Sequence, residues 1–112
     1  MSINELIINT LAPLGIPVDF QVHEGEEDTY ITFFCYNEQG EAFADDKEIT
    51  TGFYMQIDIW SKGNYSNKVE QTKKLLTKSG FIRKTETELY ESDTKIYHKV
   101  IRCFYFTENE EE

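Results

Sequence analysis

Residues 51–61 read Thr-Gly-Phe-Tyr-Met-Gln-Ile-Asp-Ile-Trp-Ser, and the fold follows from them. Phe53, Met55, Ile57 and Ile59 alternate with Tyr54, Gln56, Asp58 and Trp60. A period of two puts the first set on one face of a strand and the second set on the other. The first face is wholly apolar and must be buried. The second is mixed and carries two large aromatic rings.

Working toward the C-terminus, Lys62-Gly63-Asn64 reads as a turn. Ser66 is placed to cap a helix that runs to about Ser79, with Gly80 at the position after its end. Val69, Thr72, Leu75 and Leu76 form the inner stripe of that helix, and Lys68, Lys73, Lys74 and Lys78 its outside. The last three lysines also suit the negative C-terminal end of the helix dipole. Residues 81–90 and 95–106 then read as two strands joined by a hairpin loop over 91–94. In the last strand Ile96, His98, Val100, Arg102, Phe104 and Phe106 share one parity, and Tyr97, Lys99, Ile101, Cys103 and Tyr105 the other.

Toward the N-terminus, residues 37–50 carry Glu38, Glu41, Asp45, Asp46 and Glu48 against the single Lys47. This stretch reads as a long acidic loop, longer than a connection between two strands needs. Before it, residues 29–36 form a β-branched and aromatic run with Ile31, Phe33 and Cys35 on one face. Tyr30, Thr32, Phe34 and Tyr36 take the opposite face, which predicts some cover there too, by a helix or a neighbouring subunit. Val18, Phe20 and Val22 make a short amphipathic strand. Ser2 and Glu5 form a capping-box pattern ahead of Ile3, Leu6, Ile7 and Leu11, and Pro13, Gly15 and Pro17 end that helix near residue 12. The predicted order is α-β-β-β-α-β-β. The fold class is α+β, a mostly antiparallel sheet carrying both helices. One domain covers 1–106, followed by an acidic, disordered tail over 107–112.

Charge narrows the choice of partner. The 112-residue chain has a formal net charge of −10. Residues 1–50 hold eleven acidic side chains and one basic one, whereas residues 51–106 hold six acidic and ten basic. An overall acidic chain is not built to grip phosphates. An acidic half and a mildly basic half suit head-to-tail self-association. Lys68, Lys73, Lys74, Lys78, Tyr54 and Trp60 are the candidate subunit-interface residues. No apolar run approaches the roughly 20 residues of a membrane span. The N-terminus lacks the basic region of a secretory signal, so synthesis in the cytoplasm is the expectation. Cys35 and Cys103 then read as reduced thiols acting as small hydrophobes.

Motifs for chemistry are missing. There is no glycine-rich phosphate loop, nucleophile elbow, CxxC or HExxH pattern. His23 and His98 stand alone in sequence, and Asp45, Asp46 and Glu48 lack the glycine and spacing of a calcium loop. The expectation is a protein with no enzyme activity, no cofactor and no metal. Asp58 reads as the partner of a lysine on the neighbouring helix. A rival reading is a small acidic adaptor or DNA-mimic inhibitor, but its carboxylates cluster in one loop, one turn and the tail.

The pattern hydrophobic-x-Ile-Asp-Ile-Trp-Ser at 55–61, the following turn and helix to Gly80, then Leu89-Tyr90-Glu91 and 96–102, resembles a known family. These are the tail-completion, head-to-tail joining or tail-terminator proteins of long-tailed phages and prophages. The resemblance extends over nearly the whole chain, including Leu14-Gly15-Ile16-Pro17-Val18. It implies a virion structural protein that forms a ring, typically hexameric, at the head-proximal end of the tail tube. Its implied partners are copies of itself, the tail-tube protein and the head connector, with DNA passing through unbound. It also implies that the segment 37–50 points toward the ring lumen or the next ring. Glu38, Glu41, Asp45, Asp46 and Glu48 would there repel the phosphates of passing DNA.

Overall fold

The computed structural model describes residues 2–44 and 47–108, with the backbone alone for Ile49. Its elements are α1 (Ile3–Leu11), β1 (Val18–Phe20), β2 (Thr29–Ala44), β3 (Lys47–Ser61), α2 (Ser66–Lys78), β4 (Ile82–Glu91) and β5 (Ile96–Glu108). This is the expected α+β order. The five strands form one sheet in the order β1-β2-β3-β5-β4, antiparallel except for the β1–β2 pair. No helix among the described residues is long and apolar enough to cross a membrane.

Both helices lie on one face of the sheet. Ile31 and Phe33 of β2, Met55, Ile57 and Ile59 of β3, and Ile101 and Cys103 of β5 are completely buried there. They pack against Ile7 and Leu11 of α1 and Val69 and Leu76 of α2. For β2 and β3 these are the apolar parities read from the sequence, and for β5, whose two mixed parities the sequence left undecided, the side of Ile101 and Cys103 is the buried one. The α1 cap is also as expected, since the Glu5 N–H donates to Ser2 Oγ at 3.1 Å. A 3-10 turn over Ala12–Leu14 carries the chain past Pro13.

The α2 ends show how side chains set element boundaries. Ser66 is the first helical residue, not the cap. Its N–H donates to Asn64 Oδ1 at 3.0 Å, so Asn64 satisfies the orphan donor. At the other end the Phe81 N–H reaches the Leu76 carbonyl at 3.0 Å and the Gly80 N–H reaches that of Thr77 at 3.1 Å. This double closure needs a left-handed residue, and Gly80 has φ +97°. Phe81 therefore turns into the core rather than opening the next strand. A Cβ on Gly80 would also lie 3.3 Å from Tyr105 Cε1. Gly80→Ala is expected to cost about 1–2 kcal/mol, read as a lower urea midpoint with unchanged slope.

Three further boundaries differ from the sequence reading. Residues 37–44 and 47–50 are not a loop. β2 and β3 continue through them as a hairpin arm, paired from Asn37↔Tyr54 to Ala44↔Lys47. Main-chain hydrogen bonds hold this pairing whatever the side chains, and a 16-residue strand spans about 50 Å at roughly 3.3 Å per residue. The longest dimension of the molecule is accordingly 53 Å against 24 Å for the other two. β1 stops at Phe20, and Val22 is 65% exposed. Finally, Thr107 and Glu108 pair with Thr51 and Thr50 as the end of β5, instead of starting an unpacked tail. Residues 109–112 of that predicted tail, and Asp45 and Asp46 of the predicted loop, lie outside the described residues.

Candidate interaction surfaces

Among the described residues no other element covers the face of the sheet opposite the helices, although it is rich in rings. The register places Trp60 beside Tyr30 on one side and His98 on the other. His98 stacks on Trp60 with centroids 3.6 Å apart and planes 13° apart. Tyr30 stacks on the other side of Trp60 at 6.2 Å, and His23 on Tyr30 at 4.3 Å. The two histidines, isolated in sequence, thus sit at the two ends of one row of four rings. Trp60 Nε1 donates to Thr32 Oγ1 at 3.0 Å, so this interface candidate is already engaged within the subunit.

Each histidine meets a carboxylate. His98 Nε2 donates to Asp58 Oδ1 at 2.7 Å, and the Gln56 amide donates to both Asp58 oxygens at 3.0 and 3.2 Å. Asp58 is 4% exposed. Its expected lysine partner on a helix is not there, because α2 covers the other face of the sheet. His23 is bracketed by Asp19 at 2.6 Å and Glu27 at 3.2 Å, and its side chain is 6% exposed.

The hydrogen bond to Asp19 raises the His23 pKa above the ordinary histidine value. Burial of the ring opposes that rise and the Glu27 charge adds to it. A pKa raised by folding means that protonated His23 favours the folded state. The contribution is complete below the unfolded value, about 6.5, and fades as pH climbs through the higher folded value. The stability gap between wild type and His23→Gln should therefore be widest in mildly acidic buffer and narrow as pH rises. Urea titrations across that range measure it, and a gap that widened with pH would contradict the assignment.

Further up the open face lies a second group of rings. Tyr54 lies 5.6 Å from Phe104, and Phe104 lies 5.0 Å from Phe106. Tyr36 is 6.2 Å from Tyr54. Arg102 sits over Tyr36 at 4.9 Å, and Lys84 over Tyr54 and Phe104 at 4.9 and 5.5 Å. Tyr36 and Phe106 are 39% and 43% exposed. Of this group Tyr36 and Tyr54 stood out in the sequence. The rest assemble through pairing across β2, β3 and β5, with Lys84 at the β4 bulge.

The arm separates the predicted acidic residues instead of lining them up. Glu38 is paired in register with Phe53 and lines a 570 Å³ groove with Phe53, Tyr105, Ile3 and Leu6, on the helix side. Glu41 lies on the opposite face, where it accepts from Tyr54 Oη at 2.6 Å and from Gln39 Nε2 at 2.9 Å. Those two bonds, led by the tyrosine, lower the Glu41 pKa. A side chain at Gly52 would block this arrangement, since its Cβ would stand 2.6 Å from Glu41 Oε1. Glu48 accepts from Thr51 Oγ1 at 2.6 Å. Phe43, near the far end of the arm, is 62% exposed.

The four candidate lysines also divide. Lys68 Nζ donates to the Leu14 carbonyl at 2.7 Å and ties α2 to the turn after α1. Lys73 contacts Glu70 at 3.0 Å and Glu86 at 3.3 Å, and its pKa is raised chiefly by the Glu70 bond. Glu86 also meets Arg83 at 2.9 Å and Lys99 at 3.5 Å. Burial pushes its carboxyl pKa up, but Lys73 and Lys99 together outweigh that and hold it low. Lys74 and Lys78 make no ion pair among the described residues. With Glu70, Lys73, Thr77 and Arg83 they line a mostly basic groove along α2.

The thiols form no disulfide. Cys35 and Cys103 both pair with Met55, from opposite sides. Two strand spacings separate them by about 10 Å, well beyond disulfide reach. Cys103 is buried, which pushes its pKa up to about 12. Among the described residues no group of three or more His, Cys, Asp or Glu side chains converges as a metal site.

Fold and surfaces together define a two-layer α+β domain with one open sheet face and a projecting hairpin arm. Compared with known protein families and with curated proteins, the chain matches none.

Proposed function

We propose that this chain is a ring-forming structural subunit of a phage virion, a tail-terminator or head-to-tail joining protein, and not an enzyme. The observation that carries this reading is the arm. A 16-residue and a 15-residue strand extend one end of a small domain. The arm carries exposed Phe43 and the glutamates Glu38, Glu41 and Glu48, with exposed Tyr36 at its base. A large protruding hairpin beside an open, ring-rich face is surface suited to contact with other protein.

In this reading copies of the chain close into a ring, with six as the expected number, at the head-proximal end of the tail tube. One side of the ring meets the tail-tube protein and the other the head connector. The acidic arm borders the path of the DNA, where its carboxylates discourage adhesion of phosphates. The DNA-mimic alternative is weakened because Glu38 and Glu41 point to opposite faces and cannot imitate one row of phosphates.

Native mass spectrometry and electron microscopy, with and without purified tail tubes, test the proposal. A closed oligomer seated at one end of the tube is the expected result. A chain that stays monomeric alone and leaves the tubes bare would end it.

A further inference from the structure

Residues 21–28 carry the chain from the end of β1 back to the start of β2, and main-chain bonds fasten them at both ends. The Val22 N–H donates to the Phe20 carbonyl at 2.7 Å, closing a tight turn about Gln21, whose φ is +63°. The Gln21 N–H reaches the Phe33 carbonyl at 2.9 Å, and the Lys62 N–H reaches that of Asp28 at 3.0 Å. Between these anchors the polar hold comes from His23. Its Nδ1 meets Asp19 of β1 at 2.6 Å, its Nε2 meets Glu27 at 3.2 Å, and its ring stacks on Tyr30 of β2. Among the described residues no other side chain of 22–27 makes a hydrogen bond or ion pair outside the segment. Gly25 lies against the Nε2 end of the ring. A Cβ there would stand 2.7 Å from His23 Nε2 and would overlap the Glu27 carboxylate, so residue 25 has to be bare for the turn to close this tightly.

The two contacts together fix the state of the ring. An ionised carboxylate only accepts hydrogen bonds, and a neutral imidazole has a single N–H. A ring bonded to two carboxylates through both nitrogens is therefore an imidazolium.

We infer that His23 is a proton-operated latch on the acidic turn 24–27. As imidazolium it donates to Asp19 and Glu27 together, and the turn is closed. When the ring loses one proton it keeps the shorter Asp19 bond through Nδ1–H. The Nε2 lone pair then faces the Glu27 carboxylate, two acceptors oppose each other, and the turn opens. Opening frees Glu24, Glu26 and Glu27 beside the end of the ring row on the open sheet face, and leaves the stack on Tyr30 in place. The latch is built within one chain and does not depend on ring formation.

The groups that face His23 are Asp19 from β1, Tyr30 from β2 and Glu27 from the turn itself. Burial, aided by the Glu91 charge, raises the Tyr30 pKa, so that hydroxyl stays neutral while the histidine titrates. The His23 pKa is raised above its ordinary value, chiefly by the Asp19 bond. The turn is therefore closed in mild acid and opens as pH climbs through that raised value.

Nuclear magnetic resonance on the full chain, from about pH 5 to about pH 9, tests the latch. Nitrogen shifts of the His23 ring report its protonation state. Cross-relaxation between its ring protons and the Gly25 α-protons reports closure, and cross-relaxation with the Tyr30 ring separates local opening from loss of the whole segment. In wild type the Gly25 signal should be present in acid and lost as the ring is deprotonated, with the Tyr30 signal retained. Glu27→Gln should stay closed throughout, because a carboxamide accepts from Nε2–H and donates to bare Nε2. Gly25→Ala pushes the Glu27 carboxylate aside, and His23 should then titrate at a lower pH than in wild type.

A neutral ring with the turn still closed would overturn the latch. So would a Glu27→Gln turn that opens alongside wild type, or a Gly25→Ala ring that titrates unchanged. A Tyr30 signal lost together with the Gly25 signal would mean that the whole segment lifts, and would overturn it as well. None of these outcomes touches the ring-forming reading, which stands or falls on assembly.

Discussion

Phe33→Ala is expected to cost about 3–5 kcal/mol, the usual range for truncating a buried phenylalanine. Phe33 is completely buried in β2, between Phe20 of β1 and Ile57 of β3. It meets the Phe20 ring edge-on at 5.8 Å. Removing it takes away apolar burial and that ring contact together, and the surrounding strands cannot collapse into the space without breaking register. A domain of this size is held by roughly 5–15 kcal/mol in total, so the variant should lose a large part of its stability. Urea unfolding would show a midpoint shift with little change in slope. Phe43→Ala is the control. That ring is 62% exposed, and its loss should change stability by no more than about 0.5 kcal/mol. Equal costs at the two positions would mean that the buried face has been placed wrongly.

The second large effect is expected at His98. His98→Ala removes the ring stacked on Trp60 and the 2.7 Å bond to Asp58. Asp58 would then retain only the Gln56 amide while still almost shielded from water. Leaving a buried carboxylate short of a hydrogen-bond donor costs about 1–3 kcal/mol or more, and losing the ring stacked on Trp60 adds about 0.5–1.5 kcal/mol. The His98 side chain keeps 12% exposure, so water entering the gap holds the total to about 2–4 kcal/mol. Much of that cost belongs to the stranded carboxylate. Asp58→Ala with His98→Ala should therefore cost less than the two single changes summed, with a coupling of about 1–3 kcal/mol. An additive double-mutant cycle would show that the pair contributes nothing of its own.

The strand faces could be read from sequence because alternation is local. Phe53, Met55, Ile57 and Ile59 lie on the buried side wherever the strand pairs. The arm could not be read the same way. Register shifts fall between Cys35 and Asn37, between Gly40 and Ala42, and between Ala42 and Phe43. Each bulge displaces the period-two pattern by one residue. The segment therefore looked polar and irregular although its backbone pairs along its length. The two histidine sites were hidden for another reason. His98 meets Asp58 across 40 residues of sequence, and only the β3–β5 register sets them side by side.

By itself the sequence determined the order of elements, the buried face of β2 and β3, the α1 cap and the glycine stop of α2. All of these depend on a residue and its near neighbours along the chain. The tertiary structure alone decided that both helices share one side of the sheet and that the acidic segment stands out as an arm. It also decided that, among the described residues, 34–44 and β4 are left as open edges. Strand order and register arise from contacts between residues far apart in the chain, where loop closure and competing pairings set the outcome and no short-range pattern records it.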